Sequence, residues 1–323
     1  MRKPSHRVIR LGPITLVFVL GLTYDKRLTW TTHHTIICAK GRQLSYLITR
    51  IIRAREFPSF KAIRTLTIAA LIPLLTYGWP FWKPTVPQFN QLLSLFVRPF
   101  KRLLCLPKTT HHVSILADCG ILDPTTMWER SVLLFHQRCM DLPSTHPSRQ
   151  LLATCPRYHE WYTDIRSKWQ TVISQTDTLH RAGVLKQMYR WRADNRCTDL
   201  TRIRPINTKG IASYLLKDTL PIAILRARLR FNRSYLKNSL YRRFMTDSTE
   251  CRCEADNEDI AHILYDCPFL IRPRFRLNSH PTLSFNVRIL MGEVSHLPAR
   301  LRRSALCHTA RFLSEVADRR GTL

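Results

Sequence analysis

Carboxylates are scarce in this chain. Its 22 Asp and Glu face 51 Lys and Arg, a formal net charge of +29 and a pI near 10.5. That balance argues against a surface built to attract cations and points to a polyanionic partner. The shortage is uneven: residues 1–110 hold 18 basic residues and two acids, Asp25 and Glu56. Glycine is also sparse, at nine of 323 residues, and with 19 Pro this excludes a collagen-like or low-complexity chain. The apolar stretch 11–24 lacks a small-residue cleavage pattern, and charged Asp25, Lys26 and Arg27 follow at once. A secretory signal is therefore not expected, and the protein should be intracellular, in nucleus or cytoplasm. Residues 65–82 are uncharged for 18 positions, the lower limit of a membrane span, but Pro73, Gly78 and Pro80 interrupt them. The expectation is a buried core helix ending in a turn rather than a membrane span.

Arginine dominates the charge, 39 to 12 over lysine. Solubility alone would not favour the planar, five-donor guanidinium so strongly, whereas phosphate recognition would. The expected partner is a nucleic acid: an RNA template, an RNA–DNA duplex or target DNA. An anionic membrane surface is the weaker alternative, and no small-molecule substrate is evident. The length suggests about two domains.

Seven of the ten cysteines are scattered, at 38, 105, 119, 139, 155, 197 and 307. The other three fall with a histidine in one stretch of seventeen residues: Cys251, Cys253, His262 and Cys267. That pattern suits free thiols plus one metal site in a reducing compartment. Four such ligands can close a tetrahedral structural zinc site. Cys-x-Cys is tighter than the usual Cys-x₂-Cys, so three ordinary buried thiols remain the alternative. Asp247, Glu250, Glu254, Asp256, Glu258, Asp259 and Asp266 surround the cluster and argue that it staples the fold rather than gripping phosphate.

Hydrophobic periodicity predicts a mainly α fold with a short N-terminal β element at 13–24. A helix over 34–56 has Leu44, Leu47, Ile48 and Ile51 as its apolar face and Arg42, Arg50 and Arg53 largely elsewhere. A second helix spans 60–76. A third spans 86–105, with a Phe/Leu core stripe, a kink at Pro99, and Arg98, Lys101 and Arg102 near its end. Asp123 followed by Pro124 marks a capped start for a helix over 125–140. Residues 141–150, DLPSTHPSRQ, read as a linker. Residues 151–200 interleave Tyr158, Trp161, Tyr162 and Trp169 with bases, suited either to stacking on unpaired bases or to amphipathic packing. Over 221–245 a helix places Arg226, Arg230, Arg233 and Lys237 in one stripe beside Leu225, Leu229, Leu236 and Leu240, predicting a phosphate-facing helix. A last amphipathic helix covers 299–320. The expected divisions are 1–140, 141–220 and 221–323.

Several motifs, in order, resemble one family. LGLTYDKRLTW (20–30) with His33 and His34 resembles the segment that follows the palm in reverse transcriptases of non-LTR retrotransposons, although Val19 stands where that family has an aromatic. LIPLLTYGWPFW (71–82) and LLCLPKTTHHVSILADCGI (103–121) are similar to its thumb. LPIAILRARLRFNRSYL (220–236), DIAHILYDCPFL (259–270) and ARFLSEV (310–316) resemble its C-terminal region and Cys/His motif. Residues 143–215 match least. The resemblance implies a thumb-like helical domain over 1–140 that holds template–primer, a variable region, and a zinc-stapled C-terminal part. The family's palm holds catalytic magnesium through an aromatic-x-Asp-Asp motif, and no Asp-Asp pair occurs in this chain. RNA-directed DNA synthesis would then need residues outside it, so no catalytic residue is assigned. A stand-alone zinc-stapled RNA-binding protein is the alternative, favoured less because the apolar strand at 13–22 reads as a severed sheet edge.

Overall fold

The computed structural model describes residues 7–11, 14–19, 21–24, 30–54, 59–193, 210–254, 257–280 and 283–320. They are mainly helical, as the periodicity predicts. Strands β1 (Arg7–Leu11), β2 (Ile14–Val19) and β3 (Leu22–Tyr24) form an antiparallel meander in that order, with Arg7 opposite Phe18 and Val17 opposite Tyr24. The strand expected as a severed edge is therefore the central one. Arg7–Leu11, too short and too charged to stand out in the sequence, pairs its open side.

The helices follow as α1 (Thr31–Ala54), α2 (Phe60–Leu66), α3 (Ile72–Leu75), α4 (Val86–Leu103), α5 (His112–Asp118), α6 (Pro124–Met140), α7 (Pro147–Thr154), α8 (Pro156–Ile173) and α9 (Leu179–Ala193). After them come α10 (Ser213–Lys217), α11 (Leu220–Arg230), α12 (Lys237–Tyr241), α13 (Ile271–Asn278), α14 (Val287–Leu290) and α15 (Ala299–Arg320). A π turn, Thr67–Leu71, joins α2 to α3. Pro73 has no N–H for the carbonyl four residues back, and the backbone widens just ahead of it, with the Ile72 N–H bonded to Thr67 O. By length and composition the stretch Phe60–Phe81 could cross a membrane; Leu71, Leu75 and Trp79 within it are buried, and Leu66, Ile68 and Tyr77 are exposed.

The chain packs into two compact units of three segments each. The first is Met1–Ile51, Thr65–Pro99 and Leu122–Gln187; the second is Ile52–Arg64, Phe100–Ile121 and Met188–Leu323. These cut across the expected ranges 1–140, 141–220 and 221–323. The expected linker 141–150 lies inside the first unit, as the turn between α6 and α7 and the first half of α7. Its polar residues are engaged locally: the Arg149 guanidinium donates to Leu142 O at 2.7 Å, and the His146 ring accepts from the Ser148 N–H.

In the first unit, α1 buries His33, His34, Ile37, Cys38, Gly41, Ser45 and Ile48. Only Ile48 of the expected apolar face is among them, and Leu47 is 51% exposed. The reason is Gly41, where an added Cβ would sit 2.5 Å from the Leu75 side chain. A close approach through a glycine turns small residues and histidines inward, which counting large apolar residues misses. Around this face gathers an aromatic core. Trp30 stacks on Trp82, with His33 and His34 edge-on to the same ring, and the Trp128 indole donates to the carbonyls of Trp79 and Trp82 at 3.1 and 2.9 Å. Asp123 caps α6 by accepting from the Thr126 N–H at 3.1 Å. Tyr158 and Trp169, candidates for base stacking, are core residues instead. Tyr158 bonds Val132 O, and Trp169 bonds Glu129, which also pairs with Lys186. Trp161 and Tyr162 are half-buried against Trp128 and His136.

The second unit centres on α15, which buries Ala305, Leu306, Thr309, Phe312, Leu313 and Val316. With Leu229, Leu236, Ile263, Leu264, Leu270, Leu277 and Leu290 they form one apolar cluster, and Cys251 and Cys267 belong to it.

Candidate metal centre and the basic residues

Two short elements of the second unit build the Cys/His site. Cys251 opens a tight turn closed by Glu254 N–H on Cys251 O, flanked by a bridge between Glu250 and Asn257. His262 starts a π turn, His262–Asp266, that ends when the Cys267 N–H reaches back to His262 O at 2.8 Å. Asp259 accepts from the His262 N–H at 2.8 Å, and Pro268 forces the exit. Ile263 and Leu264 pack inward, as expected for this segment.

Together the two elements place four ligand atoms within 4.8 Å of one another. Cys251 Sγ lies 3.9 Å from Cys267 Sγ, and Cys253 Sγ lies 3.3 Å from His262 Nε2. Metal–sulfur bonds of about 2.3 Å at tetrahedral angles would set sulfurs about 3.8 Å apart, so the spacing suits a four-coordinate ion and is far too long for a disulfide. Cys251, His262 and Cys267 are buried. Burial, with the neighbouring Cys267 thiol adding to it, pushes the Cys251 thiol up to about 11. A cation at the centre would reverse that by favouring thiolate. The four residues singled out by spacing are thus brought together and could hold a metal ion.

The acidic island around them is not one solvated surface. Glu258 is fully buried. It accepts from the Lys237 N–H at 2.8 Å, pairs with Arg320 of α15, and its main chain bonds Thr249 and Asn238. It joins the Cys/His element to the start of α12 and the end of α15. Sequence reasoning missed it because alternation with exposed acids hides one buried carboxylate.

The basic stripe is corrected more strongly. Arg226 and Arg230 do not face solvent; they are 0% and 1% exposed. Arg230 forms a two-pronged ion pair with Asp118, at 2.7 and 2.8 Å, and donates to Met291 O at 3.1 Å. Tyr214 donates to the same carboxylate. Arg226 pairs with Asp218 at 2.6 Å and donates to the carbonyls of Ile289, Leu290 and Leu306 and to Thr309. The Asp118 carboxylate and Tyr214 hold the Arg230 charge firmly against the burial that opposes it. For Arg226 burial prevails, and its pKa falls despite Asp218.

Nor is the helix continuous over 221–245. Asn232 adopts φ 51°, the Arg233 N–H bonds Arg228 O, and the Asn232 N–H bonds Leu229 O. This left-handed cap ends α11 at Arg230. Arg233 and Lys237 consequently fall outside α11 and are half-buried, the Lys237 backbone already held by Glu258. Lys101 is buried too, its ammonium donating to Lys108 O and Thr110 O. Arg42, Arg50 and Arg53 on α1 and Arg98 and Arg102 on α4 are exposed. Asn232 was the available signal for the break, since asparagine tolerates the left-handed region.

No protein-family model, no curated protein and no solved structure matches this chain.

Proposed function

We propose that this chain binds nucleic acid through the phosphate backbone, as the thumb and C-terminal part of a non-LTR retrotransposon reverse transcriptase, with zinc at Cys251, Cys253, His262 and Cys267 as a structural staple. The observation that carries the reading is the charge: +29, held mostly by arginine. Arg42, Arg50 and Arg53 lie within one face of α1, with exposed Tyr46 among them, an arrangement suited to a phosphate track. Zinc follows from the donor set, three thiols and one imidazole. The polymerase assignment rests on the ordered motifs of the sequence. A severed sheet edge no longer supports it, because β2 is paired on both sides. The chain alone should bind without polymerising, since the resemblance places the magnesium-binding carboxylates elsewhere.

Fluorescence anisotropy with RNA, DNA and RNA–DNA duplex over a salt series tests the reading. Five exposed arginines engaging phosphates would give a log–log slope of roughly −4. A flat salt response would remove the basis for nucleic-acid binding.

A further inference from the structure

In the second unit, a collar of cations surrounds the loop at 105–110, between α4 and α5. Lys101 donates to Lys108 O at 2.5 Å and to Thr110 O at 2.7 Å. Arg233 donates to Thr109 O at 3.0 Å and Arg228 to Cys105 O at 3.5 Å. The Tyr235 ring, 4.9 Å from the Arg228 guanidinium, holds that side chain over the same loop. Arg243 donates to the carbonyls of Ser234 and Ser239. Lys108 itself is exposed.

Each of these bonds ends on a main-chain carbonyl. Among the described residues no carboxylate pairs with Lys101, Lys108, Arg228, Arg233 or Arg243. The contrast with two other arginines of α11 is direct, because Arg226 and Arg230 are each matched by an aspartate while Arg228 ends on a carbonyl. Carbonyl dipoles orient a guanidinium but leave its charge in place, so the collar carries a concentrated positive field. The neighbours register it. Burial, then the Arg233 charge, brings the Lys101 ammonium down to about 8. Burial, then Lys101 and His111, brings His112 down to about 4. Half-buried like charges of this kind are stabilised when an anion joins them.

We infer that this loop is a phosphate-binding site for a nucleic-acid strand, with Arg228, Arg233 and Lys108 contacting the phosphates and Lys101 holding the loop in shape. The assignment rests on the nucleic-acid reading above and adds a site to it. A free phosphate ion offers the same chemistry. The strand is favoured because the cations come from separate segments, Lys101 from α4, Lys108 from the loop, Arg228 from α11 and Arg233 from the turn after it, and because the chain is strongly basic.

The test compares the salt dependence of RNA binding for the full chain, Arg228→Gln/Arg233→Gln and Lys108→Glu. The arginine pair should make the log–log slope shallower by about two and Lys108→Glu by about one, and both should weaken all sequences alike. Lys108→Glu removes no loop tether, so it answers for any loosening caused by the arginine pair. Slopes unchanged in both variants, with the full chain still binding RNA, would overturn the site and leave the general reading standing. A full chain without affinity for RNA or DNA would overturn both. Inorganic phosphate titrated alone by calorimetry separates the two sources. A tight phosphate complex lost in Lys108→Glu would mean a free-ion site and would overturn the strand assignment.

Discussion

Asp118 shows how one residue decides what a stripe of arginines does. It lies at the end of α5, accepts both prongs of Arg230 and the Tyr214 hydroxyl, and its carbonyl takes the Ala212 N–H. Removing one partner of such a buried pair strands the other charge. Asp118→Ala should therefore cost about 3–5 kcal/mol in urea unfolding, whereas Asp118→Ala with Arg230→Met should recover much of that loss. A single variant costing less than about 1 kcal/mol would show that Arg230 is not held by this carboxylate. His112 offers a second residue-scale test. Its pKa falls from the ordinary 6.5 to about 4, by burial first and then by Lys101 and His111. Between pH 6.5 and 4 the unfolded chain takes up a proton that the folded chain refuses, so this group withdraws stability as pH falls through that window and contributes nothing above it. Thermal melts of His112→Gln should decline less steeply over the window than those of the parent; identical profiles would contradict the half-buried neutral imidazole.

Elements here are set by their ends more than by their middles. Asp123, followed by Pro124, marks the start of α6 in sequence and caps it in the structure. Its carboxylate takes both the Thr126 N–H and hydroxyl while buried, so Asp123→Ala should cost about 1–2 kcal/mol, measured by chemical denaturation. Asn232→Val would place a β-branched residue at φ 51° and should cost a similar amount, with Asn232→Gly close to neutral. What was legible followed from such local chemistry: the caps, the Phe/Leu stripe of α4, the extent of α15 and the Cys/His spacing. What was not legible depended on partners far away in the chain. Arg226 and Arg230 share their periodicity with a solvated stripe, and partners distant in sequence make them internal: Asp118, 112 residues from Arg230, and the carbonyls of Leu290 and Leu306 for Arg226. The buried face of α1 was hidden likewise, because the Leu75 that fits over Gly41 comes from another helix.

For the whole molecule, the Cys/His centre is continuous with the apolar core of one unit alone. Cys251 and Cys267 pack with Leu264, Leu313 and Val316, and Glu258 ties the same element to Arg320. If zinc holds the four ligands, its binding energy becomes folding energy for that unit, because the unfolded chain does not preform the site. The purified protein should then carry one zinc per chain, and Cys267→Ser should lose it. Hydrogen exchange on the stripped protein or on the variant should show faster opening of the π turn at His262–Asp266, of α12 and of α15. Amides of α6 and α8, in the other unit, should keep their protection. Cys307→Ser, an exposed thiol outside the centre, should change neither metal content nor exchange. Uniform protection in metal-free protein would mean that the apolar cluster holds the element unaided. The three thiols would then be ordinary core residues, and the buried carboxylate of Glu258 would be what fixes the start of α12.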